Sequence, residues 1–177
     1  MLQIKDLIIR LIEDDRIILK DFDFTLNEYD KVGLIGEEGN GKSILLKTIV
    51  DRKKVEEYCA VCGDISKNNE VIAHLPQSLD EKYFELSPMD YLYKKVDISL
   101  IDYNRLYKYM SEFNLPDYIL SGNVKMKSLS GGEKIKFILL VEMLKDPTIF
   151  LFDEPSNDLD YDSLDWLENF MKNLEIP

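Results

Sequence analysis

Eight consecutive residues, Gly36-Glu37-Glu38-Gly39-Asn40-Gly41-Lys42-Ser43, constrain this chain more than any others. They fit the pattern G-x-x-x-x-G-K-[ST] at every fixed position, a pattern whose chemistry is phosphate binding. Glycine at 36, 39 and 41 lets the backbone turn tightly and bring N–H groups close to phosphate oxygens. Lys42 adds a mobile cation for the β- and γ-phosphates of a nucleotide, and Ser43 offers a hydroxyl to Mg²⁺. Such a loop sits between a buried strand and a helix. The run Lys31-Val32-Gly33-Leu34-Ile35 is the expected strand and residues 44–50 are the expected helix. The N-terminus of that helix then faces the phosphates with its dipole and amides.

A second chemical signal lies about 110 residues further on. Residues 148–152 (Thr148 to Phe152) are a near-continuous apolar run of strand length, as expected of a central parallel strand covered on both faces. It ends in Asp153-Glu154-Pro155, and strand ends are where α/β sheets place ligands. Asp153 is placed to hold Mg²⁺ directly or through water. Glu154 is placed to act as general base on an attacking water. Upstream, Leu129-Ser130-Gly131-Gly132-Glu133 opens a helix running to about Lys145. That helix start is a second phosphate-binding candidate through Ser130, Gly131 and Gly132. Gln77 follows Pro76 on a loop, where its amide could reach the metal or the water; taken alone it carries almost no signal.

The remaining chain gives these features a frame. Residues 1–29 read as antiparallel strands, with Phe22, Phe24 and Leu26 alternating against Asp21, Asp23 and Thr25. Residues 27–30 are a turn. Residues 58–75 are strand-like, with Asn68-Asn69 marking a hairpin turn. Ser87-Pro88 starts a helix, and Leu106, Tyr109, Met110 and Phe113 recur at helical spacing until Asn114-Leu115-Pro116 breaks the pattern. Residues 78–128 therefore form a small helical insert. Leu164, Leu167, Phe170, Met171 and Leu174 mark a last amphipathic helix.

Composition excludes several classes. The 177 residues carry a net charge of −12, which argues against this piece gripping nucleic acid through its phosphates. No run approaches the length of a transmembrane helix, and the N-terminus has no signal-peptide pattern. Cys59-Ala60-Val61-Cys62 has no second pair, and His74 is twelve residues on. The two thiols read as reduced packing residues of a cytoplasmic chain.

Together these residues resemble the ATP-binding cassette (ABC) ATPases over nearly the whole chain. The order is P-loop (36–43), Q-loop (Gln77), signature (129–133), Walker B (148–153), Glu154 and a D-loop, Ser156-Asn157-Asp158-Leu159-Asp160. The resemblance implies an α/β fold: a P-loop NTPase cassette with a mixed or parallel core sheet, an N-terminal antiparallel β subdomain and the helical insert. It implies one partial ABC domain over 1–177, with the β subdomain and P-loop unit in 1–76, the insert in 78–128, and the signature helix, Walker B strand and last helix in 129–177. It implies ATP and Mg²⁺ as cofactors, with Glu154 and Gln77 catalytic and Ser43, Gln77 and Asp153 around the metal. It also implies a second cassette as partner, so that Ser130, Gly131 and Gly132 act on a nucleotide held by that partner. The chain ends before the strand that carries the family's switch histidine, and His74 lies upstream of Gln77. The 177 residues alone are expected to hydrolyse ATP poorly.

Within the family the chain is similar to the F subfamily, tandem-cassette proteins without a membrane domain that commonly act on ribosomes in translation or antibiotic resistance. Leu75-Pro76-Gln77, residues 153–160 and Trp166-Leu167-Glu168 carry that likeness, while Ser156 and Asp158 stand where the subfamily usually has Thr and His. The alternative is the ATPase subunit of an ABC membrane transporter. A chromosome-maintenance head would need a long coiled coil between Gln77 and Leu129, and only 51 residues without heptads separate them.

Overall fold

A computed structural model describes residues 1–37, 39–157 and 159–177. By contacts the chain divides into two units. Unit 1 is Met1–Ile72, Thr148–Asp153 and Glu175–Pro177; unit 2 is Ala73–Pro147 and Glu154–Leu174.

Unit 1 is built on an antiparallel sheet of order β2-β1-β3, with β1 Leu2–Leu11, β2 Ile17–Leu26 and β3 Cys59–Ser66. Leu2 and Ile4, and after a register shift Leu7 and Ile9, each spaced by two, lie on the covered side, where each is essentially fully buried. A bulge interrupts the β1–β3 ladder between Lys5 and Ile8. There Gly63 has φ +92°, and a Cβ on it would lie 2.4 Å from the Asp6 carbonyl oxygen, so only glycine fits. Arg52 holds the same corner, donating to the Gly63 and Val61 carbonyls at 2.7 Å each. Helix α1 (Lys42–Val50) lays Leu45 and Ile49 on the sheet core, and α2 (Arg52–Val55) adds Val55. Ile149 and Leu151 of β5 (Ile149–Phe152) join this cluster. Strand β4 spans Ile72–Leu75.

The expected strand before the phosphate loop is a correction. Residues 31–37 carry no strand, and Val32, Leu34 and Ile35 are 58%, 44% and 96% exposed. An apolar run becomes a strand only when a neighbouring strand takes its amides and carbonyls. No ladder among the described residues includes 31–35. A second correction concerns Asn68-Asn69. Both have positive φ and form a tight turn, but the strands they join belong to different sheets. A third concerns the thiols: Cys59 packs in the core, which pushes its thiol above the usual range, whereas Cys62 is exposed.

Unit 2 is helical. Helix α3 (Pro88–Lys95) begins on a Ser87 cap with Pro88 at its first position, as the sequence predicts. Helix α4 (Tyr103–Glu112) buries Leu106 and Met110, and Asn114 ends the pattern at φ +51°. Helix α5 (Gly131–Met143) is the buried centre: Phe137, Leu139, Leu140 and Val141 are fully covered. The C-terminal end of α5 is tied to α4 by Arg105, whose guanidinium donates to both Asp146 oxygens at 2.6 and 3.0 Å and to the Met143 carbonyl at 3.0 Å. Helix α6 (Tyr161–Asn173) buries Leu167 and stacks Trp166 on Phe170, and both rings meet Phe113 edge-on.

Candidate functional site

In unit 1 the glycine-rich loop leads into α1, and Gly41 is its N-cap residue at φ +80°. A Cβ there would lie 2.0 Å from Ile18 Cγ2, so glycine is required both by the left-handed backbone and by the close approach of β2. Gly39 is also left-handed, at φ +81°, whereas Gly36 has ordinary backbone and room around it. Asn40 N–H donates to the Glu37 carbonyl at 3.3 Å and closes the turn. Glu38 lies outside the described residues. No side chain bonds the first-turn amides from the Gly41 cap position, in contrast to the Ser130 and Asp160 caps elsewhere. Helix-start amides of this kind, with the positive end of the dipole behind them, suit an anion. Lys42 Nζ folds over the loop and donates to the Gly36 and Glu37 carbonyls at 2.8 and 2.9 Å. A phosphate would have to exchange for those contacts.

The metal-binding expectation can be tested on atoms. Ser43 Oγ donates to Asp153 Oδ1 at 2.8 Å, joining two residues 110 positions apart in sequence. Asp153 is 2% exposed, and its other oxygen, Oδ2, is buried without a hydrogen-bond partner among the described residues. A buried carboxylate oxygen with no donor is costly unless a cation completes it. A hydroxyl and a carboxylate, both hard oxygen donors, suit Mg²⁺ completed by phosphate oxygens and water. Among the described residues no group of three or more His, Cys, Asp or Glu side chains forms a metal cage of its own.

In unit 2, Pro76 ends β4 and leaves Gln77 on an exposed bend. Its Nε2 donates to Glu154 Oε2 at 2.9 Å. Asn157 Nδ2 donates to the same oxygen at 3.1 Å, and Asn157 N–H donates to the Glu154 carbonyl at 3.3 Å. Glu154 itself sits at φ +47°, a left-handed conformation uncommon for a residue with a side chain. Asn157 carries no motif-level signal of this role; an amide three residues after a carboxylate across a turn is the one hint available.

The signature residues are also in unit 2. Ser130 caps α5: Glu133 N–H donates to Ser130 Oγ at 3.2 Å, and Ser130 N–H donates to Glu133 Oε2 at 2.9 Å, a reciprocal capping box. The other Glu133 oxygen accepts from the Tyr118 hydroxyl. Burial pushes the Glu133 carboxyl up, but the Tyr118 and Ser130 bonds and the Lys136 charge outweigh it and leave it below the ordinary range. Gly132 packs against the first turn of α6, where an added Cβ would lie 2.0 Å from Ser163 Oγ. Tyr118 and Ser163 are the supports of the signature that no motif announces.

Residues 19–157 match the family model described as ABC transporter. The chain belongs to the ABC ATPase family. This cassette is 31% identical over 161 residues to the ATP-binding protein Uup of Buchnera aphidicola, covering 88% of this chain and 26% of that protein. It is 32% identical over 173 residues to the putative ATP-binding protein YdiF of Bacillus subtilis, covering 96% of this chain and 25% of that protein. It is 27% identical over 161 residues to elongation factor 3 of Candida albicans, covering 91% of this chain and 14% of that protein. Within the family the cassette is most like the F subfamily. It spans about a quarter of the length of the bacterial relatives. A solved ATP-binding subunit of an ABC transporter superposes with a TM-score of 0.75 at 21% identity, over 99% of this chain and 75% of that one. That likeness carries the α/β cassette fold. No helix among the described residues is long and apolar enough to cross a membrane.

Proposed function

We propose that this cassette binds MgATP and serves as a nucleotide-driven switch in a larger, cytoplasmic ABC-F protein that works on the translation machinery. The observation that carries the nucleotide reading is the Ser43–Asp153 pair, whose second carboxylate oxygen is buried without a partner among the described residues, beside a glycine-shaped anion cradle. The loop amides and Lys42 would hold the phosphates, and Ser43 and Asp153 would hold a magnesium ion that supplies neutralising charge to the phosphate oxygens. Glu154, steadied by Gln77, takes a proton from water as the water oxygen bonds to the γ-phosphorus. The bond from that phosphorus to the β-bridging oxygen breaks, and its electron pair leaves with ADP. Ser130, Gly131 and Gly132 complete the nucleotide site of a second cassette. The translation reading is supported by likeness to elongation factor 3 and to the F subfamily.

Calorimetric titration of MgATP tests the first part. Lys42→Ala is expected to weaken binding about 10–100-fold by removing charge-assisted contacts, and Asp153→Asn to abolish the Mg²⁺ dependence of affinity. Equal affinities for wild type and both variants would overturn the nucleotide reading. Sedimentation of the complete protein with ribosomes, trapped by Glu154→Gln, tests the second part. Co-purification with a membrane subunit instead would place the cassette in a transporter.

A further inference from the structure

We infer that Asn157 is a positioning residue for Glu154: it and Gln77 form a two-sided amide clamp on one carboxylate oxygen, and the clamp sets the aim of the general base. This rests on the reading of Glu154 as that base and deepens it. Three observations inside unit 2 carry it. Two amide nitrogens from different parts of the chain, 80 residues apart, converge on Glu154 Oε2 at 2.9 and 3.1 Å. Asn157 also closes a main-chain turn onto the Glu154 carbonyl at 3.3 Å. The residue so held has a left-handed backbone, φ +47°, which persists only where surrounding bonds enforce it.

The physical consequence is specific. An amide pair that both donate to one oxygen fixes the carboxylate plane, leaving the side chain little rotational freedom. Gln77 sits on an exposed loop and by itself is a loose support. Asn157 is a short side chain on the same turn as Glu154, so its reach is set by the turn. Removing it takes away the donor that is fixed to the same turn. Asn157→Asp is a harsher change, since a carboxylate in the same place repels Glu154 and supplies no donor. Asn157→Gln keeps the donor and restores part of the clamp.

The test has two readouts in the 177-residue chain. The first is the side-chain amide resonances. Asn157→Ala and Glu154→Ala are each expected to move the Gln77 side-chain amide signals, because all three share one oxygen; an unmoved Gln77 signal in both variants would overturn the clamp. The second is single-turnover cleavage of radiolabelled MgATP, which registers even slow chemistry. Asn157→Ala is expected to slow cleavage about ten-fold or more with the MgATP affinity unchanged, Asn157→Asp more so, and Asn157→Gln to recover most of the loss. A merely structural loss would lower affinity and cleavage together and would not be rescued by the longer amide, and that outcome overturns the inference. Cleavage that survives Glu154→Ala overturns the general-base reading itself. Cleavage that needs Glu154 but ignores Asn157 overturns only the positioning role. Should the wild-type chain cleave nothing, the resonances decide the clamp.

Discussion

At the scale of single residues, glycines divide into those the backbone demands and those it tolerates. Gly41 and Gly63 are fixed by positive φ and by atoms where a Cβ would go, whereas a Cβ on Gly36 would meet only Asn40 and Lys42 at ordinary contact distance, 3.9–4.0 Å, although the motif names it. Gly36 therefore keeps its place for what must approach it and not for the fold. Gly132 is the reverse case. It lies in regular helix, yet Ser163 Oγ and Cβ stand 2.0 and 2.9 Å from where its Cβ would be. Gly132→Ala is expected to destabilise the chain by about 1–3 kcal/mol through overpacking. Pairing it with Ser163→Gly should return most of that loss. Urea unfolding followed by Trp166 fluorescence gives the comparison, and a Gly132→Ala chain as stable as wild type would show that α6 gives way without cost.

At the scale of elements, the segments 84–86 and 125–127 are clasped. Met126 and Lys127 N–H groups donate to the Leu86 and Phe84 carbonyls at 2.9 and 3.1 Å, and Glu85 accepts from both Lys125 and Lys127. The Lys125 and Lys127 ammonium groups draw the Glu85 carboxyl down to about 2 from an ordinary 4.5. Because the folded value lies below the unfolded one, the contribution to stability is present above about pH 4.5 and is lost as the pH falls toward 2. Glu85 is solvent-exposed, and its share is correspondingly small. Wild type is expected to exceed Glu85→Gln in urea midpoint at pH 6, and the two are expected to converge by about pH 2. A gap that stays constant over that range would show that the clasp is held by its backbone bonds alone.

Elements also show what could be read in advance. Strand β2 was legible because Phe22, Phe24 and Leu26 alternate with polar residues, and α3 and α5 because Ser87 and Ser130 carry capping chemistry in the local sequence. Ser43 and Asp153 were legible only as members of two separate motifs; the hydrogen bond that joins them comes from the fold. The state of residues 31–35 was not, because a strand in a sheet is made by its neighbours, and nothing within five residues says whether a neighbour is there. Asn157, Tyr118 and Ser163 escaped for a related reason: each acts on a motif residue across a turn or between helices, a relation set by packing.

At the scale of the whole molecule, nucleotide is expected to act as a stabiliser by mass action. At 100 times its dissociation constant MgATP adds about 2.7 kcal/mol to the bound form. Treated as one transition, that raises the melting temperature of a chain this size by roughly 5–10 °C. Scanning calorimetry with and without MgATP measures it, and Lys42→Ala at the same nucleotide concentration should lose most of the shift. A shift of equal size in the variant would mean that ATP binds elsewhere. The net charge of −12 sets the other global property, mutual repulsion between copies near neutral pH.

That repulsion has something to hold apart. Val32, Leu34 and Ile35 present greasy side chains to water in one short stretch, and no ladder among the described residues includes them. Such a stretch is a template on which a second molecule can lay its own backbone, the first step toward fibrils. Anyone concentrating the purified chain near its isoelectric point of about 4.6, or in strong salt, removes the safeguard and should meet turbidity there before any loss of helix.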